Sequence, residues 1–97
     1  MYETTVIFRK YRDGSVIALF PAIPADPEGH CSSYIHVGQH GAADPSHVIA
    51  NTRPARPDEY ADLQDELIAI GYVVRPVRRL TRAMCDERMA TLARWLG

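Results

Sequence analysis

The sequence predicts an α+β domain: a small antiparallel sheet of about four strands with two main helices, ordered β-β-β-α-α-β-α. Three observations carry this. Period-two alternation and one unbroken apolar run dominate the chain before the histidine-rich stretch. The longer helical periodicities come only after Pro57. Glycine and proline clusters separate the pieces. The 97 residues make one compact domain, 1–97.

Thr4 to Lys10 reads as the first strand, with Val6 and Phe8 alternating against Thr5, Ile7 and Arg9. Tyr11–Gly14 is a turn, and Asp13-Gly14 is the local hairpin signal. Ser15 to Phe20 is an almost continuous apolar run, which suits a central strand covered on both faces. The segment 21–29 carries Pro21, Pro24 and Pro27, so it is expected to be a rigid loop rather than strand or helix. His30 to Val37 alternates again. Cys31, Ser33, Ile35 and Val37 face one way; Ser32, Tyr34 and His36 face the other. Gly38–Gly41 is expected to end that strand.

Asp44-Pro45 starts a short helix, with Asp44 as N-cap and proline in the first turn. Asn51–Pro54 stops it. Pro57 to Ile70 is the main helix. Acids crowd its N-terminal half, which suits the helix dipole, and Tyr60, Leu63, Leu67 and Ile70 make its buried stripe. Gly71 follows as the C′ residue. Tyr72 to Val77 is a strand that Pro76 confines to an edge or a bulge. Thr81 caps a last helix with Cys85, Met89, Leu92 and Leu96 on one face. The two longer helices are expected to cover one face of the sheet.

Composition narrows the function classes. The apolar share of 46% is that of an ordinary globular protein. No apolar run reaches the length of a membrane span. The first residues lack the basic-then-apolar pattern of a secretory signal. Two cysteines without a C-x-x-C predict reduced thiols and a cytoplasmic protein, with a Cys31–Cys85 disulfide as the other possibility. The net charge of −1 hides a segregation. Asp58, Glu59, Asp62, Asp65 and Glu66 fall in one stretch without a base. Arg75, Arg78, Arg79 and Arg82 fall in another without an acid. Each reads first as a solvated face.

The sequence offers four kinds of candidate site. All four histidines lie between His30 and His47, and Cys31 is among them. His36 and His40 have a metal-ligand spacing, and His30, Cys31, Asp44 and His47 are near enough in sequence to complete a zinc shell. Against this, Gly38 takes the pair off any shared helix face. Ordinary sheet and turn histidines explain the spacing as well, so neither metal nor cofactor is expected. A cysteine nucleophile at Cys31, or a His36 or His40 base beside Ser32 or Tyr34, would be catalytic. Strand phase puts Cys31 and His36 on opposite faces, which favours a buried structural thiol. Arg75, Arg78, Arg79, Arg82, Arg88 and Arg94 could contact phosphates. A negative chain without a nucleic-acid motif argues against direct binding. The fourth site is the acidic helix. Asp58, Asp62 and Asp65 share one side, and acidic faces dock on Arg- and Lys-rich surfaces.

Val6-Ile-Phe-Arg-Lys10, Asp13-Gly14, Val16–Pro21, Ile23–Asp26, Ser33-Tyr34, His36–Gly41, Pro54-Ala55, Glu59–Leu63 and Ile70–Tyr72 together resemble a family of small bacterial proteins. Such proteins are carried by phages, plasmids and other integrated elements. The resemblance covers about residues 4 to 80, and the final helix lies beyond it. It brings no activity, so no residue inherits a catalytic role. Size, missing enzyme motifs and composition add a likeness by association to anti-CRISPR-type inhibitors of a type I system.

The resulting expectation is a non-enzymatic binding or inhibitor protein. Asp58, Glu59, Asp62, Asp65 and Glu66 would meet the basic, nucleic-acid-binding surface of a protein partner, a CRISPR effector subunit in the inhibitor reading. The alternative is a small enzyme or metal-binding domain using the segment from His30 to His47.

Overall fold

A computed structural model describes residues 3–36 and 38–97. Its architecture is α+β. The element order is β1 (Thr4–Lys10), β2 (Val16–Pro24), β3 (Cys31–Ile35), β4 (Gln39–Ala43), α1 (Pro45–Ala50), β5 (Arg53–Pro54), α2 (Pro57–Ile70), β6 (Val74–Val77) and α3 (Arg82–Leu96). The sheet has six strands in the order β4-β3-β2-β1-β5, with β6 also on β1. Because β5 pairs with Arg9 and Lys10 while β6 pairs with Thr4 to Ile7, these two short strands share one edge.

The first hairpin forms as expected. Gly14 sits at φ 93°, a conformation that favours glycine, and its N–H donates to the Tyr11 carbonyl. The register then runs from Lys10 opposite Val16 to Ile7 opposite Leu19.

Four expectations are corrected. First, β2 does not stop at Phe20 but continues through Pro21 to Pro24. The β2–β3 register shifts between Phe20 and Pro24, and a proline is tolerated where the ladder is interrupted. Second, the Gly38–Gly41 segment does not end the sheet. It turns the chain straight into β4, whose His40 and Gly41 pair with Tyr34 and Ser33. Glycine-rich, exposed residues gave no alternation to read. Val37, placed by the sequence at the end of the third strand, lies outside the described residues, as do Met1 and Tyr2.

Third, the sheet is not wholly antiparallel, since β6 runs parallel to β1. The intervening chain includes α2, long enough for a crossover. Fourth, the longer helices lie on opposite faces. Val6, Phe8, Ala18, Phe20 and Tyr34 pack with Leu63 and Leu67 of α2. Ile7, Ile17, Leu19 and Cys31 pack with Val48 of α1, and Met84 of α3 joins them. Two buried faces explain why the β2 segment reads as an almost continuous apolar run. Each fully buried aliphatic side chain contributes about 1.5–3 kcal/mol.

The helix ends follow their local chemistry. Asp44 accepts from the N–H groups of Ser46 and His47 at 3.1 and 3.3 Å. Glu59 accepts from the Arg56 N–H at 2.9 Å, satisfying a donor at the start of α2. Thr81 accepts from the Met84 N–H at the start of α3.

Two stripes are shifted from the expected ones. Ile70 is exposed, and Tyr72, brought back after Gly71 at φ 125°, packs on that core instead. On α3, Met89 and Leu96 are exposed while Arg88 and Leu92 are buried. The inward face is therefore Met84–Arg88–Leu92, spaced by four residues. An arginine serves there because its Nη1 reaches the Pro21 carbonyl at 2.7 Å and its Nε the Gly29 carbonyl at 3.0 Å.

Candidate functional site

The acidic stretch of α2 divides into two sets. Glu59 turns back over the sheet edge. Its carboxylate takes Lys10 Nζ at 2.6 Å and both terminal nitrogens of Arg53 at 2.6 and 2.8 Å. The Arg53 bonds, the Arg56 N–H and Lys10 together hold its carboxyl far below the usual range. Glu66 turns toward the β3–β4 corner. Its Oε1 accepts from the Tyr34 hydroxyl at 2.6 Å and from the Gly38 N–H at 3.3 Å. Its Oε2 meets His36 Nδ1 at 2.6 Å. The Tyr34 bond, then the His36 bond, lowers the Glu66 carboxyl, and the same contact with Glu66 raises the Tyr34 phenol.

Asp58, Asp62 and Asp65 are exposed. Asp58 is 3.2 Å from Arg56 Nε across the surface. Asp62 and Asp65 make no ion pair among the described residues. With Ala61, Ile68 and Ala69, also exposed, they form one solvent-facing strip along α2. The five acids of α2 are thus three outward carboxylates and two that bind the helix to the sheet. What the sequence offered to separate them was phase: Asp58, Asp62 and Asp65 fall on one side, while Glu59 and Glu66 flank the Leu63–Leu67 stripe.

The histidines are dispersed. His36 is held by Glu66, whereas His40 Nε2 bonds the Tyr72 hydroxyl at 3.0 Å. The His40 ring stands edge-on to Tyr34 at 4.8 Å, and Tyr72 stacks on Phe20 at 5.0 Å. His30 Nδ1 pairs with Asp26 Oδ2 at 2.6 Å, and His47 is exposed on α1. Among the described residues, Asp26, Glu28 and His30 are the one group whose potential metal donors lie within 4.8 Å of one another. That cluster is also a turn, because Asp26 Oδ1 accepts from the N–H groups of Glu28 and His30.

Cys31 is buried in the α1–α3 core, on the other face of the sheet from Tyr34. Burial pushes its thiol up to about 11, the opposite of what a nucleophile needs. Cys31 and Cys85 are free thiols.

The basic residues also separate. Arg75, Arg78, Arg79, Arg82 and Arg94 are exposed, while Arg88 is used inside. Arg9 is a buried cation that was not singled out from the sequence. Its Nε donates to Thr52 Oγ1 at 2.9 Å, and its Nη2 to the Ile49 and Thr52 carbonyls at 3.1 and 2.8 Å. Its signal is a charge two residues from Ile7 on the same phase of β1, a face that α1 and α3 bury. Arg9, Arg78 and Arg79 line one open cavity of roughly 860 Å³ between α1, β5 and the residues after β6.

Comparison with family models, with curated proteins and with solved structures finds no match for this chain.

Proposed function

We propose that this protein acts by contact rather than catalysis, presenting the solvent face of α2 to a basic surface of a protein partner. The observation that supports the reading is the sorting of the α2 acids. Glu59 and Glu66 anchor the helix to the sheet, and Asp62 and Asp65 stand outward without an ion pair among the described residues. A helix pinned at both ends loses little conformational freedom on docking, so more of the interaction energy appears as affinity. Three carboxylates on one side steer toward Arg- and Lys-rich surfaces, and exposed Ile68 adds an apolar contact beside them.

The partner class proposed is a nucleic-acid-binding complex of host defence, with type I CRISPR effectors first. It rests on the likeness by association to anti-CRISPR-type inhibitors and on charge complementarity. An acidic face seated on the groove for target DNA would exclude the DNA phosphates. The test is target-DNA retention by a purified type I effector complex with this protein in excess. The expected result is loss of the retained band. Full retention at every protein concentration contradicts the inhibitor reading.

A further inference from the structure

The cavity behind α1 carries an inference independent of the acidic helix. Arg9 is only 7% exposed, so its guanidinium has left most of its water behind. A buried cation is costly unless its charge is answered. Among the described residues Arg9 is answered only by neutral oxygens, the carbonyls of Ile49 and Thr52 and the Thr52 hydroxyl. The Ile49 carbonyl belongs to the C-terminal end of α1, whose dipole offsets part of the charge, and Thr52 follows just beyond that end. Nη1 makes no hydrogen bond among the described residues, yet no fully buried side-chain nitrogen there lacks a partner. Nη1 is therefore not fully buried, and Arg9 is among the residues that line the open space.

Two more guanidiniums, Arg78 and Arg79, line the same cavity, and neither makes an ion pair among the described residues. Three like charges around one space repel, and an anion between them relieves that repulsion. Guanidiniums match phosphate oxygens with paired donors. Ile49, Pro54 and Leu80 give the remaining wall an apolar character. A cavity of this size falls in the range of small-ligand sites.

We propose that this cavity is a binding site for an organic phosphate monoester, with Arg9, Arg78 and Arg79 on the phosphate and Ile49, Pro54 and Leu80 against the attached apolar group. A monoester fits better than the diester of a nucleic-acid backbone, because three cations suit a dianion. Arg9 is the fixed floor of the site, held in place by α1. Arg78 and Arg79 are exposed and close on the ligand from the strand end.

The test is a nuclear magnetic resonance titration at constant ionic strength, following backbone amides and the Arg9 Nε–H. The probes are phenyl phosphate, inorganic phosphate and the diester dimethyl phosphate. Phenyl phosphate is expected to give saturable shifts at Ile49, Thr52 and Leu80 with a Kd of about 1 mM or tighter. Inorganic phosphate should bind the same residues more weakly, and dimethyl phosphate weakest. The double variant R78Q/R79Q changes only exposed side chains, so it should fold as before. Its affinity for phenyl phosphate should fall by about tenfold or more. Absence of saturable shifts, equal binding of the diester, or unchanged affinity in R78Q/R79Q would each overturn the proposal.

Discussion

Asp65 and Glu66 are neighbours in the chain and have separate surroundings. Glu66 reaches down to Tyr34 at 2.6 Å and joins the sheet, while Asp65 stands in solvent with no ion pair among the described residues. The same division separates Glu59 from Asp58. Helical phase produces it, since successive residues lie about 100° apart around the axis. The consequence is that acidic residues of one helix have separate duties and separable phenotypes.

Neutralising an inward acid should therefore harm the fold. Glu66→Gln keeps the shape but weakens the acceptors for Tyr34 and His36. The expected outcome is a lower urea midpoint for E66Q and an unchanged midpoint for D65N. Equal midpoints for wild type and E66Q would remove Glu66 from the scaffold.

Acid should destabilise the protein through the two inward acids, Glu59 and Glu66. Glu59 and Glu66 have carboxyls lowered in the folded state from their ordinary value of 4.5. A lowered folded value means that the unfolded chain binds protons first as pH falls. The stability they contribute is complete above the ordinary carboxylate range, near pH 4–5, and is lost progressively below it. Urea midpoints measured between pH 7 and pH 3 should fall with acid, and the fall should be smaller in E59Q. An E59Q curve parallel to wild type would contradict this assignment.

The two thiols should differ in reactivity. Cys31 is buried with its thiol raised to about 11, and Cys85 is half-buried on α3. Alkylation of the native protein at pH 8 should label Cys85 first and reach Cys31 only on unfolding. Rapid labelling of both, read by peptide mass, would mean that Cys31 is accessible.

Arg88 should act as the fastener of α3. Substituting methionine keeps the stem and leaves the Pro21 and Gly29 carbonyls without their donor. The expected loss is about 1–3 kcal/mol of unfolding free energy. A neutral R88M would mean that apolar packing alone holds α3.

Much of this fold is legible in the sequence because its signals are local. Asp44-Pro45, Pro57 with Glu59, Gly71 and Thr81 mark helix ends through capping chemistry that needs no distant partner. The edge position of β6 follows from Pro76, which has no N–H to donate. What the sequence hides is pairing. β4 has no alternation, and β5 exists only because Arg53 and Pro54 meet Lys10 and Arg9. Pro21 and Pro24 were misleading because their cost vanishes where the β2–β3 register slips. The site is legible to the same depth. The α2 acids are visible as a group, but their division into anchors and outward charges depends on Lys10, Tyr34 and Arg53, all distant in sequence.

The outward face of α2 is tested most directly by replacing Asp58, Asp62 and Asp65 together by lysine and measuring target-DNA retention by the type I effector complex at low salt. These three side chains are exposed, so the thermal midpoint should stay near wild type. Wild-type protein is expected to release the DNA, the triple variant to leave it bound, and added salt to weaken the wild-type effect. Release of DNA by the folded triple variant as efficiently as by wild type would contradict the claim that the outward face of α2 makes the contact.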